Sequence, residues 1–217
     1  MFVGERMSHP VITVHPDLSI QDALALMRNE NIRRLPIVNQ RGGLIGIVSD
    51  RDLLHASPSD ATSLSVWELN YLLSKITVEQ IMTRKVHSVT PNTPVEDAAR
   101  LMADNKIGGL PVLDDAELVG IITETDLFKL FLELLGARDA GVRFTVLVPD
   151  VPGELAKLTS IIRDLGGNIV AMVQAMGESS ESREVTLKVV GVEEQKLSNA
   201  IQPEVLKIID IRTTKPA

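Results

Sequence analysis

Two short stretches carry residue types from which chemistry can be built: Gly46-Ile47-Val48-Ser49-Asp50-Arg51-Asp52 and Gly120-Ile121-Ile122-Thr123-Glu124-Thr125-Asp126. In each, a hydroxyl and a carboxylate stand three residues apart, where an apolar run gives way to polar residues. A Ser or Thr there is a natural helix N-cap, its oxygen accepting from an amide of the first turn. An acid three residues on approximates a capping box and favours the positive end of the helix dipole. For either stretch alone that reading is sufficient. Their recurrence in matching places supports a second one. A carboxylate held at a helix N-terminus can accept from both hydroxyls of a ribose, while the neighbouring hydroxyl and the first helical amides face a phosphate. On the sequence, both readings stay open.

Other chemistries find little support. With no cysteine there are no disulfides, thiolate metal sites or cysteine nucleophiles. His9, His15, His55 and His87 show neither the two-histidine helical spacing nor an adjacent acid pair, so no metal is expected. There is no phosphate-binding Gly-x-x-x-x-Gly-Lys-Ser/Thr and no Gly-x-Ser-x-Gly, so neither a catalytic residue nor a catalytic cofactor is expected. A net charge of -7 and 3% aromatic content argue against nucleic acid, whose capture needs basic patches or stacking platforms. No run of eighteen apolar residues and no basic flank before an apolar core are found. Neither a membrane span nor a secretory signal is therefore expected, and the expected address is the cytoplasm.

The elements that position the two stretches are themselves repeated. Met7 aligns with Met82 at an offset of 75, which holds through Leu35-Pro36 against Leu110-Pro111 and becomes 74 from Gly46 against Gly120. A turn that differs by one residue, Asn39 to Gly43 against Asp114 to Glu117, accounts for the change. Within each copy, Val11 to Val14 and Val86 to Val89 read as strands closed by Pro16 and Pro91. Ile20, Ala23, Leu24 and Met27, and likewise Val95, Ala98, Ala99 and Met102, have the spacing of an apolar helical stripe. A strand through Leu-Pro, the Gly-led strand and the capped helix follow. Each copy therefore reads as strand, helix, strand, strand, helix. Between the copies a Ser- and Pro-rich loop, Ala56 to Ser63, precedes a helix over Ser65 to Lys75 that carries Trp67 and Tyr71. The helix over Thr125 to Leu135 is apolar nearly all round, which predicts cover on one side by its own repeat and on the other by another domain or a second subunit.

After a hinge at Gly136 to Gly141 the period changes. Val142 to Val148 alternates as a strand, and Pro152-Gly153 opens a helix that Gly166-Gly167 stops. Asn168 to Met176 and Arg183 to Val190 read as strands, Glu193 to Ala200 as a helix and Val205 to Arg212 as the last strand. Strand, helix, strand, strand, helix, strand is the ferredoxin-like order, whose open sheet favours pairing with a second copy.

Residues 7–55 and 77–135 resemble a tandem pair of CBS domains. The features that carry this are the Met-Ser/Thr start, the Ile-x-x-Leu-Pro element (Ile32 to Pro36, Ile107 to Pro111) and the Gly-led Ser/Thr-x-x-Asp ending, in one order twice. Residues 142–212 resemble an ACT domain, through Asp150-Val151-Pro152-Gly153-Glu154-Leu155 and Gly166-Gly167-Asn168-Ile169. The succession resembles the AcuB-type acetoin-utilisation proteins. The expected fold is α/β (α+β), with two βαββα repeats and a C-terminal βαββαβ domain. The expected boundaries are 1–62, 63–136 with the linker helix, and 140–217.

The resemblance implies composite nucleotide sites. One would join Ser49, Arg51 and Asp52 to Val86, Ile107, Leu110 and Pro111; the other would join Thr123 and Asp126 to Val11, Ile12, Ile32, Arg33, Arg34 and Pro36. The aspartates would take the ribose, the first strand the adenine and the arginines the phosphate. Arg33 and Arg34 have only Gly108 and Gly109 as counterparts, so the second site is the one expected to take the more highly phosphorylated ligand. For the ACT-like part the resemblance implies either a dimerising role or an amino-acid effector held by Asp150, Gly153, Glu154 and Asn168. The expected function is regulatory: an adenine nucleotide (AMP, ADP or ATP) is bound and a protein partner controlled, by a homodimer. S-adenosylmethionine or an amino acid is the alternative ligand.

Overall fold

The computed structural model describes residues 1–56, 71 and 74–215. By its internal contacts the chain divides into two compact units, Met1–Leu127 and Phe128 onward.

In the first unit, the first repeat comprises α1 (Ile20–Asn29), β1 (Arg34–Val38), β2 (Leu44–Ser49) and α2 (Asp50–His55). The second comprises α3 (Val78–Ile81), α4 (Val95–Asn105), β3 (Gly109–Asp114), β4 (Glu117–Thr123) and the first turn of α5 (Glu124–Leu134), a helix that continues into the second unit. Helical spacing turns Ile20, Ala23 and Met27 of α1, and Val95, Ala98 and Met102 of α4, into the interior. β1 pairs antiparallel with β2 and β3 with β4. Both hairpins carry an irregularity at the equivalent step, Ile37/Val38 and Val112/Leu113. Of the helix expected over Ser65 to Lys75, the described residues Tyr71, Ser74 and Lys75 are helical; Trp67 and most of the preceding loop lie outside the described residues.

The segments expected as first strands are reduced. Val14 makes one parallel bridge to Ile37 and Val89 one to Val112. The next amide on the same side of a parallel ladder belongs two residues on, and there the chain has Pro16 and Pro91, which have no amide proton.

The openings of the two repeats are exchanged, which the sequence reading missed. Val3 is fully buried in the core of the second repeat with Val89, Ala98, Met102, Leu110, Val112 and Ile122. Its counterpart Val78 is buried with Met82 in the core of the first, beside Ile20, Leu35, Val48 and Leu53. Paired backbone bonds fix the exchange. Ser8 and Ile121 donate to each other at 2.9 and 3.1 Å, and Ile47 and Thr83 at 3.0 and 2.9 Å. The sulfur of Met82 lies where a side chain on Gly46 would be, and that of Met7 where one on Gly120 would be.

In α5, only Leu130 is buried, while Phe128, Phe131, Leu132 and Leu134 are exposed. Leu127, at the start of the helix, packs against the second repeat's core.

The second unit comprises β5 (Gly141–Pro149), α6 (Glu154–Asp164), β6 (Asn168–Met176), β7 (Ser182–Val190), α7 (Glu194–Ile201) and β8 (Lys207–Thr214). Its antiparallel sheet has the order β6-β7-β5-β8. Alternation sends Phe144, Val146, Val185, Leu187 and Val189 into a core shared with Leu158, Ile162, Leu197 and Ile201 of the helices. The opposite face mixes Thr145, Thr186 and Lys188 with Leu147, Ala171 and Val173. Thr145 and Thr186 share a 2.9 Å hydroxyl hydrogen bond, and the buried Lys188 donates from Nζ to the Gly136 carbonyl at 2.6 Å. β6 is an edge strand with Val170, Met172, Val173 and Met176 exposed. No helix among the described residues is long and apolar enough to cross a membrane.

Candidate nucleotide site

Both Ser/Thr-x-x-Asp elements sit at the end of a strand and the start of a helix, as β2–α2 and β4–α5. In the first, Ser49 donates to Asp52 Oδ2 from its amide at 2.8 Å and from its hydroxyl at 2.7 Å, and the Asp52 amide donates back to Ser49 Oγ at 3.3 Å. In the second, the Thr123 amide and hydroxyl reach Asp126 Oδ2 at 2.9 and 2.7 Å. The full capping box is realised at Ser49, while at Thr123 the carboxylate half of it is present. Each aspartate is fixed through one oxygen, Oδ2, and among the described residues nothing bonds Oδ1. A half-buried carboxylate with one oxygen spent on orientation and one in hand suits a diol.

What distinguishes the second cap is its neighbours. Arg33 donates from Nη2 to Thr125 Oγ1 at 3.1 Å, across 92 residues of sequence. Arg34 places Nη2 3.7 Å from Glu124 Oε2. The two arginines of the first repeat thus meet the first turn of α5, where the composite arrangement requires them. The room for Arg34 comes from Gly108 and Gly109: a side-chain carbon on Gly108 would collide with the guanidinium, and one on Gly109 would come within 2.9 Å of Arg34 Cδ. The glycines opposite Arg33 and Arg34 in the repeat alignment are the notch that admits them. That was the signal available in the sequence. Burial lowers the Arg34 pKa from the ordinary guanidinium value, and Glu124 is the chief influence opposing the shift.

The remaining residues of this cleft divide. Pro36 is buried in β1, its carbonyl accepting from the Val14 amide at 3.1 Å, and Ile12 and Ile32 pack against the first repeat's core. Val11 instead lines a cavity of about 650 Å³ with Thr13, Arg41, Asp115, Leu118 and Val119, at the two hairpin turns. Around the first cap, no side-chain bond among the described residues joins Ser49, Arg51 or Asp52 to Val86, Ile107 or Pro111. Leu110 is fully buried in the core of the second repeat, so only its backbone can face a ligand.

A family model described as CBS domain matches residues 3–59 and 78–133. The chain belongs to the CBS-domain family. Residues 140–212 match a TTHA0829-like ACT domain, so a CBS pair precedes an ACT domain in one chain. Among solved structures, the CBS domain pair of protein MJ0100, in complex with 5′-methylthioadenosine and S-adenosyl-L-methionine, is 34% identical, with 64% of this chain and 98% of that one covered at a TM-score of 0.52. CBSX2 in complex with AMP is 35% identical, with 61% and 97% covered at 0.52. A putative acetoin utilization protein (AcuB) from Vibrio cholerae is 34% identical, with 63% and 93% covered at 0.53. L-aspartate semialdehyde sulfurtransferase of Methanocaldococcus jannaschii is 35% identical over 130 residues, which are 59% of this chain and only 23% of that protein. The chain thus spans about a quarter of that relative's length.

In the ACT domain a cavity of about 420 Å³ is lined by Val148 to Ala156, Gln174, Arg183 and Val185. It includes Asp150, Gly153 and Glu154 of the expected effector site. Gly153, at φ 101°, takes a conformation that suits glycine, and it begins α6 without a side chain to cap the first amides. Asn168 is not brought there. It starts β6 opposite Val190, and Gln174, six residues along that strand, is the amide that lines the cavity. Asp150 is already paired with Arg183 at 2.9 Å, and this bond raises the arginine's pKa. Arg183 Nε is buried without a hydrogen-bond partner. The sequence reading missed Arg183 because its place opposite Val148 depends on the β5–β7 register.

Proposed function

We propose that this chain is a non-catalytic regulatory protein whose CBS pair binds AMP, ADP or ATP and thereby controls a protein partner. The observation that carries the reading is the convergence of Arg33 and Arg34 on the cap that holds Thr123 and Asp126. The ribose would sit at Asp126 and the phosphate at the arginines and the α5 amides. Relatives in complex with AMP, 5′-methylthioadenosine and S-adenosyl-L-methionine support an adenosine ligand. The AcuB likeness favours acetoin utilisation as the setting and the cytoplasm as the address.

Calorimetric titration with AMP, ADP, ATP and S-adenosylmethionine tests this. Micromolar binding of a nucleotide is expected, with the phosphorylated ligands tighter than S-adenosylmethionine. The opposite order would move the assignment to a sulfonium ligand, and no binding at all would leave both elements as helix caps.

A second reading rests on the Asp150–Arg183 pair in the ACT cavity. These two charges, with the open amides of α6, match the ammonium and carboxylate of an amino acid.

We also propose a homodimer, formed through the exposed Phe128, Phe131 and Leu134 of α5 or the apolar edge strand β6. Light scattering at micromolar concentration is expected to give about twice the 23.7 kDa chain mass. A monomer mass would refute it.

A further inference from the structure

Arg34 already has a counter-charge. Its backbone is paired with Ser49, the cap of its own repeat, while its guanidinium reaches Glu124, the first helical residue of the other repeat's cap. The guanidinium is confined: its side chain is only 19% exposed and lies in the notch left by Gly108 and Gly109. Glu124 is not confined, since its side chain is 53% exposed and can turn into water at little cost. Of the two, the carboxylate is the mobile partner. A phosphate delivered to this cap by a ribose at Asp126 would arrive where that carboxylate now stands.

We propose that Glu124 determines which adenosine ligands the second cleft accepts. Its carboxylate stands in for a phosphate on Arg34, and a phosphorylated ligand must displace it. A ligand with an uncharged 5′ substituent need not. Each phosphorylated ligand therefore binds less tightly than the two arginines alone would allow, and the cleft discriminates less between AMP and adenosine than its basic residues suggest. The proposal rests on the reading of Thr123 and Asp126 as a nucleotide site, and its test separates the two.

Adenosine, 5′-methylthioadenosine, AMP and ADP are titrated into the wild-type chain, Glu124→Gln and Glu96→Gln, the last removing the same charge from an exposed position on α4. In Glu124→Gln, AMP and ADP are expected to bind about three- to tenfold more tightly, since loss of a partly exposed counter-charge frees a confined guanidinium. Adenosine and 5′-methylthioadenosine are expected to stay within about twofold, as uncharged groups gain nothing from Arg34. Glu96→Gln should change neither, and in an Arg34→Met background the effect of Glu124→Gln should vanish. Unchanged or weaker AMP binding in Glu124→Gln, with binding still weakened in Asp126→Asn, overturns the role of Glu124 and leaves the cleft standing. Equal tightening of adenosine and AMP overturns it too. Failure of every adenosine compound to bind any variant overturns both readings.

Discussion

Asp126→Ala is expected to reduce nucleotide affinity in the second cleft by about a hundredfold while lowering stability only modestly. The carboxylate has two separable tasks. Through Oδ2 it accepts from the amide and hydroxyl of Thr123 and so closes the start of α5, an interaction whose loss costs about 1 kcal/mol. Through the remaining acceptor capacity it would hold two ribose hydroxyls. Hydrogen bonds to a charged group contribute roughly 1.5–3 kcal/mol each, so losing the pair removes about 3 kcal/mol, or two decades of affinity. Asp126→Asn keeps an oxygen for the cap and loses the charge, and should melt near wild type while binding roughly tenfold more weakly. Asp52→Ala should cost the same stability, with a smaller effect on phosphorylated ligands, because among the described residues no arginine pair meets that cap. Titration and thermal melts on the same samples decide. A lower melting temperature with unchanged affinity would reduce Asp126 to a helix cap.

Gly120→Val is expected to be among the most destabilising single substitutions in the CBS pair, about 1–3 kcal/mol and several degrees of melting temperature. The added carbons would occupy the place of the Met7 sulfur, in a buried strand that cannot yield without breaking the Ser8–Ile121 bonds. Gly46→Val should do the same against Met82. The compensating change makes the argument specific: Met7→Ala alone leaves a cavity and destabilises, yet in the Gly120→Val background it should restore part of the loss. Additive losses in the double variant would show that Met7 does not fill the Gly120 notch.

The sequence made some of this legible and hid the rest for identifiable reasons. Helix faces were legible because Ile20, Ala23 and Met27, and Val95, Ala98 and Met102, lie at the spacing that burial requires. The caps were legible because a hydroxyl and an acid three residues apart serve the first helical turn directly. Both are local relations. Arg183 beside Asp150 and Gln174 in place of Asn168 were not legible, since they follow from strand register over a distance that no local pattern encodes. The reduced first strands lay between: Pro16 and Pro91 read as the ends of strands, whereas they limit each segment to one bridge. The pairing of Arg33 and Arg34 with Gly108 and Gly109 was visible as an asymmetry. Its meaning, side chains on one repeat and vacant space on the other, required the fold.

The exchanged openings also set an order of events during synthesis. Residues 2–8 leave the ribosome ahead of Thr93, Pro94 and Ile121, from which their seat is built, so they must wait for those residues to find their place. The first repeat in turn emerges without Val78 and Met82, which complete its interior. Neither half can close on its own schedule. The first repeat therefore keeps an apolar opening until Thr83 has cleared the exit tunnel, and residues 2–8 wait longer still, until Ile121 has cleared it.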